Sequence, residues 1–223
     1  MLATLLLLGP ADTFAQSTGS ETRHHRDEPR RKDGETGRVN AANSALTTGG
    51  ETIVFFRHGE KPQPEGLGQL TCQGLNRAIR LPKALYTLFH SQFGKPAAIF
   101  APNPGVQITD PHGPYNYVRP LATVAPTAIL LGLPVNTQYG YADTDGLKKA
   151  LLDPKYQSSL VYVAWEHDKM NALLKSWTGD PNVPQWSGSE YDMVVVLSIN
   201  GGKVTWAEKK QGLNNLPTTC PDQ

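Results

Sequence analysis

The run Glu51-Thr-Ile-Val-Phe-Phe-Arg-His-Gly-Glu60 decides the fold class of this 223-residue chain. Residues 52–56 are continuously apolar, β-branched or aromatic, which is typical of a strand buried on both faces of a parallel sheet. Arg57, His58 and Gly59 follow this strand directly. Since ligands of open α/β sheets bind at the carboxyl ends of strands, these residues are expected at a ligand site.

Strand and helix patterns alternate along the rest of the folded region. The sequence predicts further strands at residues 97–101, 159–165 and 192–198, and a closing hairpin through Asn200-Gly201-Gly202 to residues 203–207. It predicts helices at residues 72–81, 82–90, 120–131, 144–153 and 169–177, with a loop at 105–118. This order predicts a three-layer α/β fold, with a mostly parallel central sheet, helices on both faces and one antiparallel edge.

Composition divides the chain into three segments. Residues 1–16 combine an apolar run, a helix breaker and small residues near Ala15, which is typical of a secretory signal peptide, although no Lys or Arg precedes the run. Residues 17–50 are polar and charged and predict a disordered linker. Residues 51–223 are the predicted folded domain. We therefore expect a secreted or periplasmic protein, or a cytoplasmic one if the first segment is not a signal.

The bulk properties argue against several classes of protein. A formal net charge of +1 gives no strong field toward nucleic acid, and no stretch is long and apolar enough to span a membrane. The two cysteines, Cys72 and Cys220, form a disulfide in an oxidising compartment or remain thiols in the cytosol. No cysteine or histidine spacing typical of a zinc site appears. No pattern in the sequence indicates the oligomeric state.

A second group of polar residues is expected at the same end of the sheet. Glu166 and His167 follow the strand at 159–165, and Arg119 stands where the long loop meets a helix. With Arg57 and His58, these positions bring together two imidazoles and two guanidiniums. Arginine binds phosphate oxygens through paired donors, and a neutral imidazole can carry a phosphoryl group covalently. The set therefore indicates phosphoryl transfer, which depends mainly on positioning and charge neutralisation.

These residues make the sequence resemble the histidine phosphatase superfamily, whose members share the phosphoglycerate mutase-like fold. The matching motifs are Arg57-His58-Gly59, then Leu70-Thr71 through Gly74 to Arg77-Ala78, then Arg119 with Thr123, and finally His167. They occur in the family's order and span most of the predicted domain. Four ordered elements are far more specific than Arg-His-Gly alone.

The resemblance implies a role for each matched residue. His58 would be the nucleophile that forms a phosphohistidine, Arg57 and Arg119 would hold the phosphoryl group, and His167 would complete the pocket. The implied partner is a small phosphorylated substrate, and the implied reaction is phosphomonoester hydrolysis without a metal or other cofactor. Gly59 is expected to let the backbone approach the ligand closely.

The proton donor is left open between two carboxylates. Mutase-like members place a glutamate between the second arginine and the second histidine, and residues 138–143 hold none. Asp168 follows His167, as in the acid phosphatase branch, although Lys61 and Gln63 depart from that branch's motif. Glu166 is the other candidate. If the strand continued past residue 165, both carboxylates would face away from His167.

Alternative functions and several nearby residues also stay open. A phosphoglycerate-type mutase is the rival enzyme, and a non-catalytic phosphate-binding or interaction module on the same fold is the rival from another class. Glu60 and Lys61 line the mouth of the site or pair in solvent. The loop residues available to contact substrate, or simply to cover the fold, are His112, Tyr115 and Tyr117.

Overall fold

The computed structural model describes residues 49–64 and 66–221. The predicted signal peptide and nearly all of the predicted linker lie outside the described residues. The elements in chain order are β1 (Glu51–Arg57), α1 (Cys72–Leu85), α2 (Ser91–Phe93), β2 (Ala98–Phe100), β3 (Gln107–Asp110), β4 (Gly113–Asn116), α3 (Arg119–Leu131), β5 (Val135–Asn136), α4 (Thr144–Leu151), β6 (Leu160–Trp165), α5 (His167–Thr178), β7 (Met193–Asn200) and β8 (Lys203–Lys210).

A six-stranded sheet in the order β5-β2-β6-β1-β7-β8 forms the middle layer. Strands β5, β2, β6 and β1 run parallel, whereas β7 pairs antiparallel with β1 and β8 pairs antiparallel with β7. The predicted mostly parallel sheet with an antiparallel edge is confirmed. All seven residues of β1 are buried, as its apolar run predicts.

Side chains of β1 alternate between two hydrophobic cores, one on each face of the sheet. Ile53 and Phe55 belong to the core that contains residues of α4 and α5. Val54 and Phe56 belong to the core that contains residues of α1 and α3. The two helical layers explain why β1 has no polar face, and they confirm the three-layer prediction.

Three sequence predictions differ from the structure in detail. Pro82 lies inside α1 instead of starting a second helix, and a π-helical turn at Tyr86–His90 follows. The predicted loop at 105–118 contains the β3–β4 hairpin, which is short, rich in proline and glycine, and half-exposed on both strands. Helix α5 begins at His167, because the side chain of Glu166 caps it.

A disulfide joins Cys72, at the start of α1, to Cys220 near the chain end, with their Cα atoms 4.4 Å apart. The amide of Asn76 supports the same connection by donating to the carbonyls of Pro217 (3.0 Å) and Thr219 (2.8 Å). A cross-link over 148 residues restricts the unfolded chain and so stabilises the fold. The pair suits an oxidising compartment, and export stays a prediction. Within the described residues, no helix has the length and apolar character needed to cross a bilayer.

Candidate active site

Gly59 joins the end of β1 to two helices. Its N–H donates to the hydroxyl of Thr123 on α3 at 2.8 Å, and that hydroxyl donates to the carbonyl of Arg119 at 2.8 Å. A Cβ atom at position 59 would lie 2.9 Å from the carbonyl oxygen of Gly74 on α1. Gly59 therefore allows the loop after β1 to contact α1 closely. The expectation that it also lets the backbone approach a ligand stays a prediction.

The motif around Thr71 and Gly74 holds α1 against the loop after β1. Thr71 caps α1 by accepting from the N–H of Gly74 at 3.1 Å, and its own N–H donates to the carbonyl of Glu60 at 2.9 Å. Arg77 forms an ion pair with Glu60 at 2.7 Å, and the Arg77 side chain is buried. Glu60 thus binds a neighbouring helix, and does not pair in solvent.

His58 is buried and held in one orientation. Its Nδ1 lies 2.7 Å from the carbonyl oxygen of Gly59, which accepts only, so Nδ1 carries the proton and Nε2 keeps the lone pair. Burial lowers the pKa of His58 well below its usual range, and the charges of Arg57 and Arg119 lower it further. The hydrogen bond to Gly59 and the charge of Glu166 act in the opposite direction. The result is a neutral imidazole with a nucleophilic Nε2.

Arg57 is fully buried beside His58. Its Nη1 donates to the carbonyls of Ser187 (2.9 Å), Gly188 (2.9 Å) and Glu190 (3.1 Å) in the loop before β7, and its Cζ lies 4.0 Å from the ring centre of Tyr191. Nε and Nη2 have no hydrogen-bond partner among the described residues. One edge of the guanidinium is therefore fixed, and its other donors remain for an anion.

Arg119, the first residue of α3, is also buried. It donates to the carbonyl of Leu67 and, at 3.2 Å, to the hydroxyl of Tyr115 on the β3–β4 hairpin. Its Cζ lies 4.8 Å from the ring centre of Tyr117. The Nε donor is buried without a partner among the described residues. Like Arg57, Arg119 therefore has some donors bound by the protein and another, Nε, without a partner among the described residues.

The structure places Tyr117, which the sequence left open between substrate contact and loop cover, beside His58. Its ring is fully buried and meets His58 edge-on, with ring centres 5.8 Å apart. Burial raises the pKa of the Tyr117 phenol well above its usual range, and the charge of Glu166 raises it further. The charges of Arg119 and Arg57 act in the opposite direction. The hydroxyl has no partner among the described residues. It is therefore a protonated donor close to both arginines, and no local pattern distinguishes it from the exposed loop residues.

Glu166 and His167 stand at the carboxyl end of β6, next to His58. The strands are in register at Arg57 and Trp165, and the N–H of His58 donates to the carbonyl of Trp165 at 3.3 Å. Nδ1 of His167 lies 2.6 Å from Oε1 of Glu166, an ion-pair distance, although the N–H direction does not meet hydrogen-bond geometry. The structure thus brings the two predicted histidines to neighbouring strand ends.

The two candidate proton donors differ in their surroundings. The carboxylate of Glu166 accepts from the N–H groups of Asp168 (3.1 Å) and Lys169 (2.8 Å). Burial raises the pKa of Glu166, but the interaction with His167 and these two backbone bonds outweigh it and lower the pKa to about 2. The Asp168 side chain is 77% exposed, and Oδ1 lies 3.6 Å from Nε2 of His167. Glu166 is suited to an ionised helix cap, whereas the Asp168 carboxylate is in contact with solvent beside His167.

Glu166, His167 and Asp168 also place one potential metal-ligand atom each within 4.8 Å of one another. The oxygens of Glu166 already accept from the backbone of α5, and the charge of Arg57 stands close enough to act on Glu166 and Asp168. Both features oppose a divalent cation at this position. These three residues therefore fit a helix cap better than a metal site.

Comparison with known proteins identifies the fold. No protein-family model matches the sequence, and no curated protein sequence matches it either. The structure is similar to that of the protein histidine phosphatase SixA complexed with tungstate, with 11% identity and a TM-score of 0.51 over 72% of this chain and 97% of that chain. This likeness shows the fold alone, and it confirms the phosphoglycerate mutase-like fold predicted from the sequence.

Two further solved structures align over most of their length with lower TM-scores. A mycobacterial glucosyl-3-phosphoglycerate phosphatase with inorganic phosphate shows 14% identity and a TM-score of 0.48, covering 71% of this chain and 95% of that chain. A phosphoglycerate mutase from Plasmodium falciparum shows 16% identity and a TM-score of 0.48, covering 78% and 98%. The fold assignment rests on the first structure alone.

The state of His58 can be measured directly. We expect the imidazole to stay neutral, with the proton on Nδ1, at the pH where an ordinary histidine is half protonated, because burial and two guanidiniums disfavour the charged ring. Nitrogen-15 NMR of histidine-labelled protein, assigned with His58→Gln, reports both nitrogens. The exposed His90 serves as the internal control. A His58 titration centred near the ordinary histidine value, about 6.5, would contradict this assignment.

Proposed function

We propose that this chain, which has the histidine phosphatase fold, is a phosphomonoester phosphatase that works through a phosphohistidine on His58. The observation that carries the proposal is a set of four buried donors without partners among the described residues. They are Nε and Nη2 of Arg57, Nε of Arg119 and the hydroxyl of Tyr117. Buried donors are nearly always satisfied, so a set of unused donors beside a neutral imidazole favours an oxyanion ligand.

The first chemical step follows from the orientation of His58. Nε2 attacks the phosphorus of the bound monoester, the P–N bond forms, and the P–O bond to the leaving alkoxide breaks. The two guanidiniums and the phenol donate to the equatorial oxygens, where charge is neutralised during transfer. His167 is placed at the neighbouring strand end to add a further donor.

The second step returns the enzyme to its starting state. Water attacks the phosphohistidine, the P–N bond breaks, and inorganic phosphate leaves with His58 neutral again. Asp168 gives its proton to the alkoxide in the first step and takes one from water in the second, so protons balance over the cycle. Glu166 keeps its charge throughout as the cap of α5 and as the anion that orients His167.

Hydrolysis of an aryl phosphate tests the proposal. The full chain should hydrolyse p-nitrophenyl phosphate in the presence of EDTA, and His58→Ala should reduce kcat/KM by about 10³-fold or more because the nucleophile is lost. His90→Ala, which removes an exposed histidine from the far part of the helical layer, is the matched control. Rapid quenching should trap an acid-labile, base-stable phosphoprotein in the wild type only.

Other results would support the rivals. Phosphate binding without turnover would favour a non-catalytic module. Transfer of the phosphoryl group to a phosphoglycerate acceptor, in preference to water, would favour the mutase. Loss of activity in EDTA that added metal restores would overturn the metal-independent mechanism.

Substrates whose leaving groups differ in their need for a proton distinguish the roles of Asp168 and Glu166. Asp168→Asn should slow hydrolysis of an alkyl phosphate by about 10²-fold or more, because its alkoxide needs a proton. The same variant should affect p-nitrophenyl phosphate much less, since p-nitrophenolate leaves unprotonated. Glu166→Gln should lower thermal stability through the weaker cap and leave the ratio of the two rates unchanged. A larger change of that ratio in Glu166→Gln than in Asp168→Asn would reverse the assignment.

Tyr117 should contribute to anion binding. Tyr117→Phe removes one hydrogen bond to a charged oxygen. Such a bond contributes about 1.5–3 kcal/mol, so inorganic phosphate should bind roughly 10- to 150-fold more weakly. Tyr86→Phe, at an exposed position directly after the end of α1, is the control. Calorimetric titration with phosphate measures both affinities. Equal affinities in Tyr117→Phe and the wild type would exclude the phenol from the anion site.

A further inference from the structure

A polar cavity of about 370 Å³ lies at the amino-terminal end of β1, opposite to the candidate active site. Seven residues of extended chain separate its edge from His58, which corresponds to roughly 23 Å. Two glycine pairs contribute backbone to its wall: Gly49 and Gly50 before β1, and Gly201 and Gly202 in the β7–β8 turn. The cavity therefore belongs to neither the phosphate site nor its helices.

The side chain of Glu51 gives this cavity its chemical character. Glu51 is only 5% exposed, and its Oε1 has no hydrogen-bond partner among the described residues. The other lining residues are uncharged. Burial raises the pKa of Glu51 to about 7. A carboxylate that is buried without a counter-charge is costly, and a cationic group beside it removes most of that cost.

The surroundings of Glu51 restrict which cation suits the cavity. A single carboxylate provides one negative charge, whereas a divalent ion usually recruits several. The cavity volume is about twelve times the roughly 30 Å³ that one water molecule occupies in the liquid, which is more than a bare ion fills. Leu152 and Ile199 add apolar surface to the wall. An ammonium group offers three N–H donors, which match one carboxylate together with backbone carbonyls.

We propose that this cavity binds a short primary alkylamine. Its ammonium group contacts the carboxylate of Glu51, and its alkyl chain lies against Leu152 and Ile199. The proposal is independent of the reaction at His58, because the two sites are at opposite ends of β1 and share no lining residue.

The proposal includes a pH dependence with a definite sign. The amine stays charged below about pH 10, the usual range of an alkylammonium. Glu51 must be ionised to attract it, and its pKa is raised to about 7. Affinity should therefore increase from pH 5.5 to pH 8, and binding should release a proton from Glu51. No second titratable group lines the cavity, so Glu51 alone accounts for this dependence.

Thermal unfolding of the full chain with n-butylammonium chloride tests the site. At pH 8 and an amine concentration ten times its Kd, Tm should rise by about 3–6 °C for a chain of this size. The rise should disappear at pH 5.5 and in Glu51→Gln. Glu208→Gln, which removes an exposed carboxylate on β8, should keep the full response. n-Butanol, tetramethylammonium and CaCl₂ should each produce no comparable rise.

A second variant keeps the test decisive if Glu51→Gln does not fold. Leu152→Lys places an ammonium group at the mouth of the cavity, at a residue that is 46% exposed and tolerant of change. It should have a higher Tm than the wild type at pH 8 and no response to the amine. Three results would overturn the proposal: no Tm change with the amine, an equal change with tetramethylammonium or calcium, or a full response in both cavity variants.

Discussion

The contact between Gly59 and Gly74 is the constraint on which the candidate site depends. It lets the start of α1 lie against the backbone that follows β1, and a side chain at either position would force the two apart. The same backbone is held from α3 by the Thr123 hydroxyl. With its carbonyl accepting from His58, Gly59 connects a strand, two helices and the imidazole. An imidazole fixed in this way loses little entropy when a ligand binds beside it.

Two guanidiniums are buried beside a histidine, and different groups offset the charge of each. Carbonyls of the loop before β7 and the ring of Tyr191 offset the buried charge of Arg57. Arg119 relies on one carbonyl and two tyrosines of the hairpin segment. In both cases part of the donor set has no partner among the described residues. Under the proposed function, an anionic substrate would offset the remaining desolvation cost. Burial lowers the pKa of His58, and the same two positive charges lower it further.

The sequence predicts the sheet, both helical layers and the clustering of Arg57, His58 and His167, because parallel strands present their carboxyl ends at one edge. Arg119 was predicted from its position between loop and helix. Other features depend on contacts between distant segments. The acceptors of Arg57 lie about 130 residues further along the chain. The direction of the Glu166 side chain could not be predicted, because the strand ends at Trp165 and the carboxylate turns back to cap α5. The catalytic roles themselves stay predictions.

Burial of β1 on both faces sets the chemistry at each of its ends. Any ionisable group there leaves water, so its charge state depends on what the adjoining loops supply. At the carboxyl end, loops and helix starts converge, and they bring arginines, tyrosines and carbonyls to His58. At the amino end, the adjoining residues are mainly glycines and uncharged polar side chains. No positive charge in the cavity lining offsets the charge of Glu51. At the first end, buried guanidinium donors have no partner among the described residues, whereas at the second end the cavity lining holds no cation beside the Glu51 carboxylate. The same packing rule that favours a phosphate ligand beside His58 thus favours a cationic ligand beside Glu51.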